Sequence, residues 1–187
     1  STLMRSSAAS DVYKRQAVAS LTPMLMGFIF HEASPRDASL LNPDAVKSLP
    51  PFVRPVAVFV DKDDEYISGV CDRYGIHIIQ LHGAESPAQC RRLKSKGFTV
   101  FKAIGLENSQ DLQNLAIYDG VVDMFLFDTK SSCHGGTGKK FDWQLLESYD
   151  LETSYLLSGG IDAGDINNII KACLLYTSPS PRDGATS

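Results

Sequence analysis

The chain is an alternation. Six short apolar runs, each ending at a polar side chain or a glycine turn, are followed by segments of helical periodicity at a spacing of roughly 20 to 30 residues. The pattern predicts strands over residues 24–30, 56–60, 76–83 with its exit loop, 98–104, 122–127 and 154–157. It predicts helices over residues 40–49, 63–74, 86–97, 109–117, 143–148 and 163–172. Strands joined through helices have to run parallel, because the crossover brings the chain back to the edge it started from, and such crossovers are right-handed. An α/β domain with a parallel sheet follows. The strand pattern alone leaves a doubly wound sheet and a barrel both open. Either architecture places its chemistry at the C-terminal ends of the strands.

Those ends carry the candidates. Phe125-Leu126-Phe127 is a buried-strand run that stops at Asp128, and Thr129-Lys130 then leads into the turn-rich Gly135-Gly136-Thr137-Gly138 and on to Phe141-Asp142-Trp143. Taken singly, Asp128 is equally well a turn former or a helix cap. Arg36 follows the first strand, Gln80 and His82 close the third, and Gly159-Gly160 closes the sixth. The ordinary alternatives are a surface salt bridge for Arg36, a local hydrogen-bond partner for His82 and a simple turn for the glycine pair.

Composition narrows the classes. With 187 residues, 43% of them hydrophobic and 21% charged, the chain has material for one sizeable core. No apolar run approaches the roughly 18 residues of a spanning helix, and no N-terminal basic-then-apolar leader is legible. A net charge of −4 argues against a phosphate-backbone partner, and Arg91, Arg92, Lys94 and Lys96 read as a solvated helix face. Cys71, Cys90, Cys133 and Cys173 form no CxxC pair and no metal-ligand spacing with His, so no metal is expected and a reduced, cytoplasmic setting is the simplest reading. A P-loop fails on spacing, since Cys133 stands where its first glycine is required and Lys140 follows Lys139.

The two ends share an origin. Asp11-Val12-Tyr13-Lys14-Arg15-Gln16 can be encoded as GAT GTG TAT AAG AGA CAG, whose reverse complement, read one nucleotide out of frame, encodes the Cys173-Leu174-Leu175-Tyr176-Thr177 of the other end. Residues 1–16 and 173–187 are therefore expected to be translated library adapter lying outside the fold, and residues 17–172 the native domain.

Taken in order, Gly27-Phe28-Ile29-Phe30 with Ser34-Pro35-Arg36, Gln80-Leu81-His82-Gly83, Asp128-Thr129 with Gly135-Gly136-Thr137-Gly138 and Phe141-Asp142-Trp143, and Leu157-Ser158-Gly159-Gly160 resemble the motifs of the phosphoribosylanthranilate isomerases. The resemblance covers essentially all of residues 17–172 and implies an incomplete (β/α)8 barrel, with about six of its eight strands in this chain. It implies the Amadori rearrangement of tryptophan biosynthesis, in which N-(5-phosphoribosyl)anthranilate becomes 1-(2-carboxyphenylamino)-1-deoxyribulose 5-phosphate. No cofactor is implied. The resemblance assigns ring-oxygen protonation to Asp128 as general acid, the anthranilate carboxylate to Arg36, and substrate-proximal places to Gln80 and His82. It gives the phosphate to the backbone of Gly159 and Gly160, and a mobile loop beside Asp128 to Gly135 and Gly136.

One departure stands out. The family's general base is a cysteine in a Lys-x-Cys-Gly strand, and that motif occurs nowhere in this chain. Little or no turnover is therefore expected of the chain as it stands. Missing first and last strands would also leave two unpaired edges and invite aggregation. The competing readings are another phosphosugar barrel, similar to the ribulose-phosphate epimerases or to indole-glycerol-phosphate synthase, and a phosphate-binding fragment without catalysis.

Overall fold

A computed structural model describes residues 3–5, 24–106, 108–129 and 143–159. Its strands are β1 (Leu3–Arg5), β2 (Leu25–Ile29), β3 (Arg54–Phe59), β4 (Ile78–Leu81), β5 (Thr99–Gly105), β6 (Met124–Thr129) and β7 (Tyr155–Gly159). The helices are α1 (Pro43–Lys47), α2 (Asp64–Tyr74), α3 (Pro87–Ser95) and α4 (Ser109–Gln113), with 3-10 turns at Asn114–Tyr118 and Trp143–Ser148.

All strands are parallel and stand in the sheet in chain order, from β1 to β7. This order settles what the strand pattern left open. A doubly wound sheet reverses direction once and so receives helices on both faces. Here every right-handed crossover between the described strands advances the same way, which puts the described helices on one face and curls the sheet around the other. The result is a partly closed, barrel-like wall.

The two faces differ accordingly. The large core lies between sheet and helices and includes Met26, Phe59, Ile79, Leu81, Val100, Phe125 and Phe127 from the strands with Ile67, Cys71 and Leu93 from the helices. The alternate strand positions, Val56, Ile78 and Phe101 with Leu25, Met124 and Leu156, pack together as a second, smaller cluster on the inner face. Period-2 alternation therefore sets inner against outer, and even Met124, Leu126 and Asp128 of β6 share the inner side.

Local chemistry explains the boundaries. Asn42 caps α1 through Asp44 N–H at 3.0 Å, with Pro43 in the first helical turn. Asp63 caps α2 through the Tyr66 amide at 2.7 Å, and Gly75 ends that helix at φ 68°, a left-handed position that glycine adopts without Cβ strain. Ser86 and Pro87 start α3 in the same manner, and Asn108 with Asp111 forms a capping box for α4.

Differences from the sequence expectation have physical causes. The helix expected over 109–117 is α-helical only to Gln113 and then tightens into a 3-10 turn, so that Leu115 enters the core. The 143–148 helix is likewise a 3-10 turn. The larger difference is Leu3–Arg5, which falls in the segment expected outside the fold and pairs with Leu25, Met26 and Gly27 of β2. An open sheet edge presents unpaired N–H and C=O groups that an extended segment can satisfy, and these three residues fill it. The β2 edge expected to be bare is thus covered over three residues. The expected 163–172 helix lies outside the described residues.

Candidate functional site

Parallel strands bring all their C-terminal ends to one edge, and the candidates sit there. Asp128 is the fifth residue of β6 and pairs with Gly105 on one side and Ser158 on the other. Behind it Phe125, Leu126 and Phe127 are fully buried, which rigidifies the strand and fixes the carboxylate's position. His82 follows β4 directly; its backbone amide donates to the Phe59 carbonyl at 2.9 Å. The two side chains meet across the β5 strand end, with His82 Nε2 at 3.9 Å from Asp128 Oδ2. That separation is too long for a direct hydrogen bond and short enough for electrostatic coupling. Their side chains are 27% and 20% exposed, so both reach a surface that a ligand can approach.

Gln80 stands behind His82. Its amide Nε2 lies 3.0 Å from His82 Nδ1, and the residue is fully buried. With the amide donating to Nδ1, the imidazole carries its proton on Nε2, the nitrogen that faces Asp128. The Gln80 carbonyl oxygen is buried with no hydrogen-bond partner among the described residues, leaving an acceptor unfilled at this end of the sheet.

Arg36 lies in the loop after β2, at the same edge, with an exposed side chain; its amide donates to Ser34 Oγ at 3.2 Å. The loop is anchored by Asp37, whose carboxylate accepts from His31 N–H at 3.1 Å and from Ser39 Oγ at 2.8 Å, and whose backbone bridges to Ile29. Gly159 ends β7 in register with Thr129. Gly135, Gly136 and Gly160 lie outside the described residues. Of the sequence candidates, then, Gln80, His82 and Asp128 are brought together side chain to side chain, and Arg36 and Gly159 share their edge.

A matching family model, described as N-(5'phosphoribosyl)anthranilate (PRA) isomerase, spans residues 2–178. The chain belongs to this family. Phosphoribosylanthranilate isomerases are enzymes of tryptophan biosynthesis, and the relatives carry that name. The one from Phocaeicola vulgatus is 41% identical over 146 residues, covering 78% of this chain and 69% of that protein. The one from Parabacteroides distasonis is 39% identical, covering 77% and 66%. The chain thus spans about two thirds of the length of these isomerases. Among solved structures, the phosphoribosyl anthranilate isomerase of Thermotoga maritima is similar at a TM-score of 0.72 and 29% identity, over 91% of this chain and 83% of that one. An isomerase solved in complex with reduced 1-(o-carboxyphenylamino)-1-deoxyribulose 5-phosphate gives 0.70 and 26%, over 91% and 82%. The curled wall is therefore part of the isomerase barrel. No helix among the described residues is long and apolar enough to cross a membrane.

The cysteines bear on the isomerase chemistry. Cys71 and Cys90 are buried in α2 and α3 on the far side of the sheet from Asp128. Burial, joined by the neighbouring Asp72 carboxylate, pushes the Cys71 thiol up to about 12. Burial pushes Cys90 up to about 11, with the Lys102 ammonium opposing it. Neither is placed or charged to act as a base.

Sequence reasoning missed one group entirely. Lys102 and Glu85 form a buried pair at 3.1 Å directly beneath the His82 loop, their side chains 2% and 1% exposed. A lone lysine inside the apolar run 99–104 was the available signal, since a buried cation requires a partner.

Proposed function

We propose that this edge holds the substrate of the isomerase rearrangement, with the anthranilate carboxylate toward Arg36 and the sugar phosphate toward the backbone of Gly159 and Gly160. Asp128 gives its proton to the furanose ring oxygen; the C1–O bond breaks and the nitrogen lone pair forms a C1=N iminium. A base then takes the C2 proton, the electrons move to a C1=C2 enol-amine, and tautomerisation leaves the ketone at C2. His82, with its proton on Nε2, is oriented to donate to a substrate oxygen between itself and Asp128, and Gln80 holds that tautomer. The contact that carries this reading is Gln80 to His82 to Asp128, a polar line at the mouth above the apolar cluster of the inner face.

The chemistry as proposed is incomplete in this chain. The Lys-x-Cys-Gly motif is absent from its sequence, and Cys71 and Cys90 lie on helices, buried with protonated thiols in the core on the outer side of the sheet. We therefore propose a chain that binds and has little or no turnover, its rate lowered by roughly 10²- to 10⁴-fold for the missing proton-transfer group alone. We also propose residues 17–172 as the native portion and a cytoplasmic setting.

The test is calorimetric titration of the purified chain with reduced 1-(o-carboxyphenylamino)-1-deoxyribulose 5-phosphate, beside a turnover assay with N-(5-phosphoribosyl)anthranilate. Saturable binding that Arg36→Met and Asp128→Asn each weaken, with little or no turnover, is the expected result. Turnover at rates normal for an isomerase would end the missing-base argument, and a folded chain with no affinity for the analogue would end the site assignment.

A further inference from the structure

We infer that Lys102 is a positioning residue for His82, acting through the carbonyls of the residues on either side of it, Leu81 and Gly83; the functional consequence rests on the substrate-facing role proposed above for His82. Lys102 points to the helix side of the sheet, where neighbours such as Val100, Leu81 and Leu93 are apolar and where packing alone would be met by methionine or leucine. What the ammonium adds is three directed protons. Its Nζ lies 3.3 Å from the Leu81 carbonyl and 2.7 Å from the Gly83 carbonyl, the oxygens flanking His82 in the chain. A further contact of 3.3 Å reaches the Ala103 carbonyl of its own strand.

Glu85 completes the grip from the other side. It neutralises Lys102 at 3.1 Å, and its carboxylate accepts from the Gly83 amide at 3.0 and 3.2 Å and from the Asp61 amide at 3.0 Å. Gly83 thus has its carbonyl on the cation and its amide on the anion. The same glycine admits Asp61, for a Cβ there would lie 2.2 Å from Asp61 Oδ1. Asp61 sits at φ 50°, and its Oδ1 accepts from the Ala84 amide at 2.6 Å. The exit loops of β3 and β4 are therefore locked together around one buried ion pair, and His82 is the side chain that this lock presents to the inner mouth. Its Nδ1 can meet Gln80 while its Nε2 faces Asp128 only if the backbone at residues 81–83 is held in this one arrangement.

The test follows the imidazole nitrogens of His82 by NMR in the full 187-residue chain labelled with ¹⁵N, assigned by comparison with His82→Asn. At about pH 8, where an ordinary imidazole is neutral, the parent chain is expected to show a single Nε2–H tautomer. The variant combines Lys102→Met with Glu85→Gln, which removes both charges together and keeps an acceptor for the Asp61 and Gly83 amides. Its expected signature is a folded chain whose His82 nitrogens move to the averaged shifts of a freely exchanging imidazole, with affinity for the reduced product analogue down about tenfold or more. Unchanged His82 shifts in the folded variant would overturn the inference. Altered shifts with undiminished affinity would support the grip and count against the substrate-facing role of His82. Should the variant not fold, hydrogen exchange in the parent chain decides: the His82 and Gly83 amides have to be protected as strongly as the core strands, and exchange at loop rates overturns the inference.

Discussion

The Asp119 carboxylate accepts hydrogen bonds from both the hydroxyl and the backbone amide of Thr153, at 2.7 and 3.0 Å. This joins the turn before β6 to the turn before β7, so the two strands that carry Asp128 and Gly159 enter the sheet in a fixed relation. The hydroxyl bond is the largest cause holding the Asp119 carboxyl below the usual carboxylate range, with burial opposing and the backbone amides assisting. A carboxyl that binds protons less readily folded than unfolded stabilises fully above its unfolded value of about 4 and loses that contribution as pH falls through its folded value. Asp119→Asn is expected to flatten the acid limb of stability below about pH 4, measured by chemical unfolding at a series of pH values. An unchanged acid limb would show that the contact does not persist in solution.

Gly83 admits no side chain. A Cβ would lie 2.2 Å from Asp61 Oδ1 and 2.8 Å from the Asp61 backbone nitrogen, and the backbone cannot yield as a flexible side-chain tip would. Gly83→Ala is expected to cost about 1–3 kcal/mol, the usual range for overpacking. Denaturant unfolding measures it, and a loss well under half a kcal/mol would mean the β3 and β4 exit loops are free to move apart.

Buried, protonated thiols are slow nucleophiles. With Cys71 pushed up to about 12 and Cys90 up to about 11, alkylation of both at about pH 8 is expected to be negligible in the folded chain and rapid once denaturant is added. Peptide mass spectrometry after a timed iodoacetamide pulse reads each cysteine separately. Prompt labelling of either in the native state would contradict the placement of α2 and α3.

Tyr74 supports the loop that carries Arg36. Its hydroxyl donates to carbonyls of the β2–α1 connection, lying 2.9 Å from the Leu41 oxygen and 3.1 Å from that of Ser39, while its ring packs on Phe30 at 4.9 Å between centroids. Tyr74→Phe keeps the ring and is expected to lower stability by about 0.5–1.5 kcal/mol, the net worth of one such bond, with weaker binding of the product analogue. Equal stability and affinity would show that the loop is held by packing alone.

Much of the site could be read from strand ends. An apolar run that stops at Asp128, or a Gln-x-His after Ile78 and Ile79, marks an inner-face polar residue because the side-chain period of two is local. The Lys102–Glu85 pair was not legible in that way. Its partners are 17 residues apart, Glu85 in the connection after β4 and Lys102 midway along β5, and a single lysine among apolar residues does not name its counter-ion. The 3-10 geometry of residues 114–118 and 143–148 was equally hidden, since apolar spacing over five or six residues does not separate three residues per turn from 3.6.

The sequence by itself determined the alternation of strands and helices, the parallel sense of the sheet and which polar residues close each strand, because these follow from periodicity, capping and turn chemistry acting over a few residues. The unbroken strand order and the curl were implied by the family resemblance and not by the strand pattern. Only the tertiary structure decided that Leu3–Arg5 lies on the β2 edge and that His82 faces Asp128 above a buried cation. Those outcomes depend on which distant groups satisfy one another's hydrogen bonds and charge once water is excluded, and that matching is made in space and not along the chain.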